Sequence, residues 1–171
     1  MPVKIDQLRI VYYPDPVLRR KAAPVEQITD EVRDVAERMV QLMHQHRGVG
    51  LAAPQVGLSW RMFVANPTGE VEQDRVFINP VLTLSETVDV YEEGCLSLPG
   101  INADVRRPIH AVIEATDLAG ETVRLESDDL PARVWQHEMD HLNGVLILDR
   151  MSEIDRTASK RAIKELEARV R

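Results

Sequence analysis

Two histidines and a glutamate stand together in the run Gln136-His137-Glu138-Met139-Asp140-His141. On a helix, residues four apart are surface neighbours at roughly 5–6 Å, so both imidazoles can reach one divalent ion at about 2.0–2.1 Å each. Glu138 is offset around the helix by one position and can lean over an open coordination position as a general base rather than ligate. Such a triplet also arises by chance on solvated helix faces. Here, however, Val134 and Trp135 precede it and Leu142, Val145, Leu146 and Ile147 follow. The helix is therefore expected to be buried, where ionisable groups seldom sit unless paired or bound to metal.

A metal site built on two histidines needs a third protein ligand. One group of zinc peptidases places Gly three residues after the second histidine and a third histidine three residues further. Gly144 meets the first condition, but position 147 is Ile. Glu165 and Glu167, further along the chain, are a second option, although a solvated face explains carboxylates on so charged a segment equally well. The remaining candidate is Cys95, the only cysteine. A lone cysteine is usually a small buried hydrophobe. The segment Glu93-Gly94-Cys95-Leu96-Ser97-Leu98-Pro99-Gly100 instead places it between a glycine and a Pro-Gly turn signal, after a strand-like stretch with Val88, Val90 and Tyr91. A thiolate there is a strong ligand for a borderline metal.

A third segment, Gly48-Val49-Gly50-Leu51-Ala52-Ala53-Pro54-Gln55, carries so little bulk that another backbone or a substrate could approach it closely. Alone it is a tight loop after a helix, since it lacks the third glycine of a dinucleotide fingerprint and the lysine of a phosphate loop. In order, Gly48-x-Gly50-x-Ala52-Ala53-x-Gln55, Glu93-Gly94-Cys95-Leu96-Ser97 and Gln136-His137-Glu138-x-x-His141 resemble the three signature motifs of the peptide deformylases. Tyr13-Pro14-Asp15-Pro16-Val17-Leu18-Arg19 and Phe77-Ile78-Asn79-Pro80 extend the resemblance, which spans residues from about 10 to 150.

The resemblance implies that Cys95, His137 and His141 hold one divalent ion, with water in the fourth position. It implies Fe2+ in the cell, while zinc or nickel is plausible in purified protein because divalent affinity rises along that series. Glu138 would take the proton of the attacking water and return one to the departing amine. The Gln55 amide and the Leu96 backbone N–H would stabilise the oxyanion. The substrate would be the N-formylmethionine end of a new polypeptide, its backbone added as a strand beside the glycine-rich segment. Val49, Gly50, Leu130, Val134 and His137 would line the methionine pocket beside Gly94, with Tyr91 and Arg133 making its rim more polar and Glu93 paired with Arg107. Two other classes remain open: a non-catalytic metal-bound module of the same fold, and a general metallopeptidase with a roomier cleft. Retention of Glu138 favours catalysis.

The remaining chain has to position these groups. Its 171 residues suffice for one core and are read as one α+β domain: antiparallel strands around a central motif helix, with a further helix at the C-terminus. Asp30 is expected to cap a helix running to about His46, with Val32, Val35, Met39, Leu42 and Met43 inward and His44 and His46 as solvated caps. Strands are expected at 61–65, 74–78, 81–84, 111–115 and 123–125, the last two joined by the turn Asp117-Leu118-Ala119-Gly120. The motif helix should run from Pro131 to Asn143 and the last helix from Ile154 to Val170.

A net charge of −7 and low aromatic content argue against general nucleic-acid binding. No secretory leader is expected, since Met1 to Asp6 already contains charge, and no apolar run approaches the length of a membrane span; a single cysteine suits a reducing cytoplasm. From residue 156 onward, Arg156, Lys160, Arg161, Lys164, Arg169 and Arg171 face only Glu165 and Glu167. A basic helix on an acidic protein suggests an anionic partner, and the family resemblance points to the ribosome.

Overall fold

The computed structural model describes residues 1–170, and Arg171 lies outside the described residues. Five antiparallel strands form one sheet in the order β1-β2-β3-β6-β7. They are β1 (Gly50–Ala52), β2 (Met62–Ala65), β3 (Arg75–Leu84), β6 (Ala111–Thr116) and β7 (Thr122–Ser127). A separate antiparallel hairpin pairs β4 (Val88–Gly94) with β5 (Asn102–Pro108). Three helices, α1 (Asp30–Gln45), α2 (Leu130–Leu142) and α3 (Glu153–Ala168), complete the expected α+β architecture.

The sheet carries a helix on each face. On one side Leu51, Met62, Val64 and Ile78 meet Val32, Val35, Ala36, Met39, Leu42 and Met43 of α1. On the other, Ala52, Phe63, Ala65, Phe77, Ala111, Ile113 and Ala115 meet Ala132, Val134, Trp135 and Leu142 of α2. Burial on both faces explains why β1 and β2 read as continuous apolar runs without polar alternation. Phe77 joins the layers, 5.0 Å from the Phe63 ring centroid and 6.2 Å from that of Trp135. Buried side chains of this size contribute about 1.5–3 kcal/mol each, so the aromatic run is a principal hold of α2 on the sheet.

Several local expectations are corrected. Thr29, not Asp30, caps α1: its hydroxyl accepts the Val32 N–H at 3.3 Å, and Asp30 falls in the first turn beside the positive helix end. His44 is not a solvated cap, because its Nε2 lies 2.7 Å from Asp74 Oδ1. The strands expected at 74–78 and 81–84 are one strand, β3, with a register shift between Ile78 and Val81. Asn79 makes the bulge, at φ 50°, while its side chain exchanges hydrogen bonds of 2.9 and 2.8 Å with the Val25 backbone. Strand β5 was not anticipated: Ala103, Val105 and Arg107 point inward, and the arginine at the third inward position disguises the alternation.

The motif helix agrees with expectation to within one residue at either end and packs against β1, β2, β5, β6 and β7. Gly144 ends it at φ 73°, where an added Cβ would lie 2.6 Å from the Arg19 carbonyl oxygen. That contact, rather than a zinc-peptidase continuation, accounts for the glycine. The last helix starts one residue earlier than expected, capped by Ser152, and ends at Ala168. It docks Leu166 into a cluster with Leu98, Ala103, Val105 and Leu148.

Candidate metal centre and active site

On α2, His137 and His141 lie one turn apart with ring centroids separated by 5.1 Å. Cys95, just past the end of β4, meets them: its Sγ is 3.4 Å from His141 Nε2. One ligand atom from each of Cys95, His137 and His141 lies within 4.8 Å of the others. A thiolate and two imidazoles suit a tetrahedral divalent ion, and donors at roughly 2.0–2.3 Å from such an ion leave edges close to the sulfur–nitrogen spacing seen here. The donor set therefore fits one metal ion. Glu165 and Glu167 are exposed on α3, the former paired with Arg161 at 3.1 Å, and take no part in this cluster.

His137 is oriented from behind. Its Nδ1 lies 2.9 Å from Glu93 Oε1, which leaves Nε2 for the cluster. Arg107 donates to both oxygens of Glu93, at 2.7 and 2.9 Å, so the anticipated ion pair is present and bidentate. It continues through Arg107 Nη1 to Asp140, at 3.0 Å. Burial alone would raise the Glu93 carboxyl, but hydrogen bonds from His137 and Arg107 and the Arg107 charge outweigh it and hold the group at about 2. Burial likewise works against a charged His137, yet Cys95, Glu93 and Glu138 keep its proton well above the ordinary value. A metal ion held by His137 would displace this proton. Burial holds His141 well below its usual value, as the neutral imidazole that can ligate.

Glu138 is 4% exposed, and its Oε2 has no hydrogen-bond partner. Burial pushes its carboxyl up to about 7, against the opposing charges of His137 and Arg107. Gly50 makes the room: a Cβ there would stand 2.7 Å from Glu138 Oε1. A base whose affinity for protons is near neutrality can both accept and return one.

Gln55 is buried beside this carboxylate's neighbours, in a short 3-10 turn after β1. Its Oε1 accepts the Ala52 N–H at 3.0 Å, which directs Nε2 toward Ser97 Oγ at 3.2 Å and Cys95 Sγ at 3.5 Å. The amide is thus aimed at the metal cluster. Ser97 was quoted only within the second motif, with no role of its own, and its place three residues after the end of β4 offered no signal of a partner at position 55.

These groups open into a cleft of about 700 Å3. Gln55, Cys95, Leu96, His137 and Glu138 lie at its floor or walls, together with Val49, Gly50, Tyr91, Gly94, Leu130, Arg133 and Val134. His141 alone among the anticipated site residues does not line it, being 2% exposed behind Cys95. Val134 is buried, whereas Val49, Leu130 and Tyr91 are exposed at the rim. The Arg133 guanidinium lies 5.2 Å from the centroid of the Tyr91 ring. Arg47, Asp89, Glu92, Ile109 and Asp128 also line the mouth and were not anticipated.

The sequence profile of the polypeptide deformylases matches residues 7–157. The chain is 45% identical over 147 residues to the peptide deformylase of Borreliella burgdorferi, covering 85% of this chain and 88% of that protein. It is 41% identical over 163 residues to the chloroplastic peptide deformylase 1B of rice, covering 94% of this chain but only 61% of the rice protein's length. Among solved structures, a peptide deformylase from Plasmodium falciparum superposes with a TM-score of 0.90 at 37% identity, covering 94% of this chain and 95% of that one. The chain belongs to the polypeptide deformylase family, metal-dependent enzymes that remove the formyl group from newly made polypeptides.

Proposed function

We propose that residues 1–171 form one catalytic domain that hydrolyses the formyl amide of N-formylmethionyl peptides, with Cys95, His137 and His141 holding the metal and Glu138 as the base. The observation that carries this reading is a buried, unpartnered carboxylate beside a Cys-His-His cluster at the floor of an open cleft. A divalent ion held by Cys95, His137 and His141 would supply Lewis-acid chemistry at the floor of the cleft. We assign Fe2+ in the cell, with zinc or nickel taken up by purified protein.

Glu138 takes a proton from water as its oxygen bonds to the formyl carbon, then delivers a proton to the methionine nitrogen as the carbon–nitrogen bond breaks. Formate and a free amine leave. The Gln55 Nε2 group and the Leu96 backbone N–H donate to the formyl oxygen as it gains charge, an arrangement typically worth about 3–4 kcal/mol per donor. Gln55 reaches this task preoriented by Ala52 and Ser97. The methionine side chain packs on Val49, Leu130, Val134 and His137 below Tyr91 and Arg133, with its backbone running between Gly50 and Gly94.

Formate release from a short formyl-Met peptide, set beside the acetyl-Met analogue and an internally placed amide, tests the reading. Turnover of the formyl peptide with negligible release of acetate and no internal cleavage is expected. Equal hydrolysis of internal amides would make it a general metallopeptidase instead, and metal-loaded protein inert toward all three would leave a binding module.

We further propose that α3 docks on ribosomal RNA, in the cytoplasm, where Cys95 stays reduced. Lys160, Arg161 and Lys164 lie exposed on one stretch of the helix. The basic character is weaker than residues from 156 onward suggest, because Glu153 and Asp155 occupy the helix's first turn. No helix among the described residues is long and apolar enough to cross a membrane. Removing residues 156–171 should abolish low-salt co-sedimentation with ribosomes, and the intact chain's binding should fall steeply with salt. Unchanged sedimentation of the truncated chain would exclude this helix as the anchor.

A further inference from the structure

Glu93 receives four hydrogen bonds from three residues, and one of these residues, Arg133, has so far been placed only at the rim of the substrate cleft. His137 Nδ1 and Arg107 Nη2 meet its Oε1, each at 2.9 Å, while Arg107 Nε at 2.7 Å and Arg133 Nη2 at 3.0 Å meet its Oε2. Arg133 stands on α2 one turn before His137, with its side chain only 11% exposed. Its other contacts reach toward the mouth of the cleft. Nη1 donates to Asp89 Oδ1 at 2.7 Å, Nη2 also donates to the Val105 carbonyl at 2.6 Å, and the guanidinium lies against the Tyr91 ring.

We propose that Arg133 is a positioning residue for the metal ligand His137, acting through Glu93 and joining that ligand to the wall of the substrate cleft. The proposal rests on the reading of His137 as a ligand. The Glu93 contact selects the tautomer and turns the His137 ring, so a shift of the carboxylate rotates Nε2 relative to Cys95 and His141. Arg107 grips both carboxylate oxygens from β5, and Arg133 grips one from α2, the helix that also carries the histidine. The carboxylate is therefore clamped between the hairpin and the helix. Only a planar fork can reach Asp89 and Glu93 at once, which a lysine ammonium, a single point charge, cannot reproduce.

A plain ion-pair tie between α2 and the hairpin would use the same contacts, and the two roles separate at Asp89. The full chain is loaded with Co(II), whose visible absorption reports ligand geometry, and release to excess chelator is timed. Wild type, Arg133→Met, Arg133→Lys, Asp89→Asn, Glu93→Gln and the Arg133→Met/Glu93→Gln double variant are compared.

Arg133→Met is expected to release the ion about 10-fold faster, at the lower end of what loss of an outer partner costs, and to shift the Co(II) band. Arg133→Lys should fall between it and wild type, which keeps the test decisive if the methionine variant fails to fold. Asp89→Asn should leave release and spectrum near those of wild type. Arg133→Met should add nothing in the Glu93→Gln background, since both changes act on one contact. An unaltered release rate in Arg133→Met, equal acceleration by Asp89→Asn, or the same added acceleration without the Glu93 carboxylate would each overturn the proposal. Wild type that fails to take up one ion per chain would overturn the metal-site reading itself, and this inference with it.

Discussion

Cys95→Ser, His137→Ala and His141→Ala should each lose bound metal and activity together. Each removes one of three donors that lie within 4.8 Å of one another, and a site reduced to two has no means of outcompeting solvent and buffer for the ion. The loss in affinity should exceed roughly 100-fold, the upper range for outer-shell partners of a ligand. Peptide cleavage should drop to the uncatalysed background. Elemental analysis of dialysed protein measures the first effect directly. A second reading comes from stability, because an ion held only by the folded state raises its free energy of unfolding by about 4 kcal/mol at a thousandfold excess over Kd. Chelator should therefore lower the melting midpoint of wild type and leave that of Cys95→Ser where it is. A full complement of metal in Cys95→Ser would remove the thiolate from the site.

Glu138→Gln should behave differently, keeping its metal and its fold while hydrolysis falls by roughly 10²–10⁴-fold. Glutamine has nearly the same shape, so it fits the space that Gly50 leaves, but its amide has no basic oxygen to receive a proton. The expected drop corresponds to about 3–5 kcal/mol in the barrier, at 1.36 kcal/mol for each factor of ten. Stability should hold, because the substitution removes a charge that burial already disfavours and breaks no hydrogen bond at Oε2. Metal analysis and the melting midpoint separate this variant from the ligand variants, which lose what it keeps. Near-normal turnover in Glu138→Gln would leave the mechanism without its base.

The contrast between these two predictions follows a division already present in the chain. The pairing of His137 with His141 is local: helical geometry sets four-residue neighbours on one face wherever the helix lies, so spacing alone singled out both candidate ligands and the offset of Glu138. The same holds for the inward face of α1 and for the turn at 117–120, where nearest-neighbour backbone preferences decide the outcome. With the second and third motifs placed beside the first, residues also identified the family.

The third ligand was a different matter. Local reasoning left Cys95 in competition with Glu165 and Glu167 until the motifs were read together, because nothing near position 95 states what lies across from it. Tertiary packing favours Cys95, folding the end of β4 over α2 so that Sγ comes to 3.4 Å from His141 Nε2 while Glu165 and Glu167 stay exposed on α3. Much of the support of the site was hidden for the same reason. The pairing of Arg107 with Glu93 came only from the family resemblance, and nothing near position 107 pointed to Asp140, the second carboxylate that keeps this 2%-exposed guanidinium neutralised. Ser97 orients Gln55, Arg133 bridges Asp89 and Glu93, and His44 answers Asp74 across contacts that no short spacing encodes. Chemistry held within one helical turn is written in sequence order, whereas the cost of burying a charge is settled by whichever distant partner the fold brings to it.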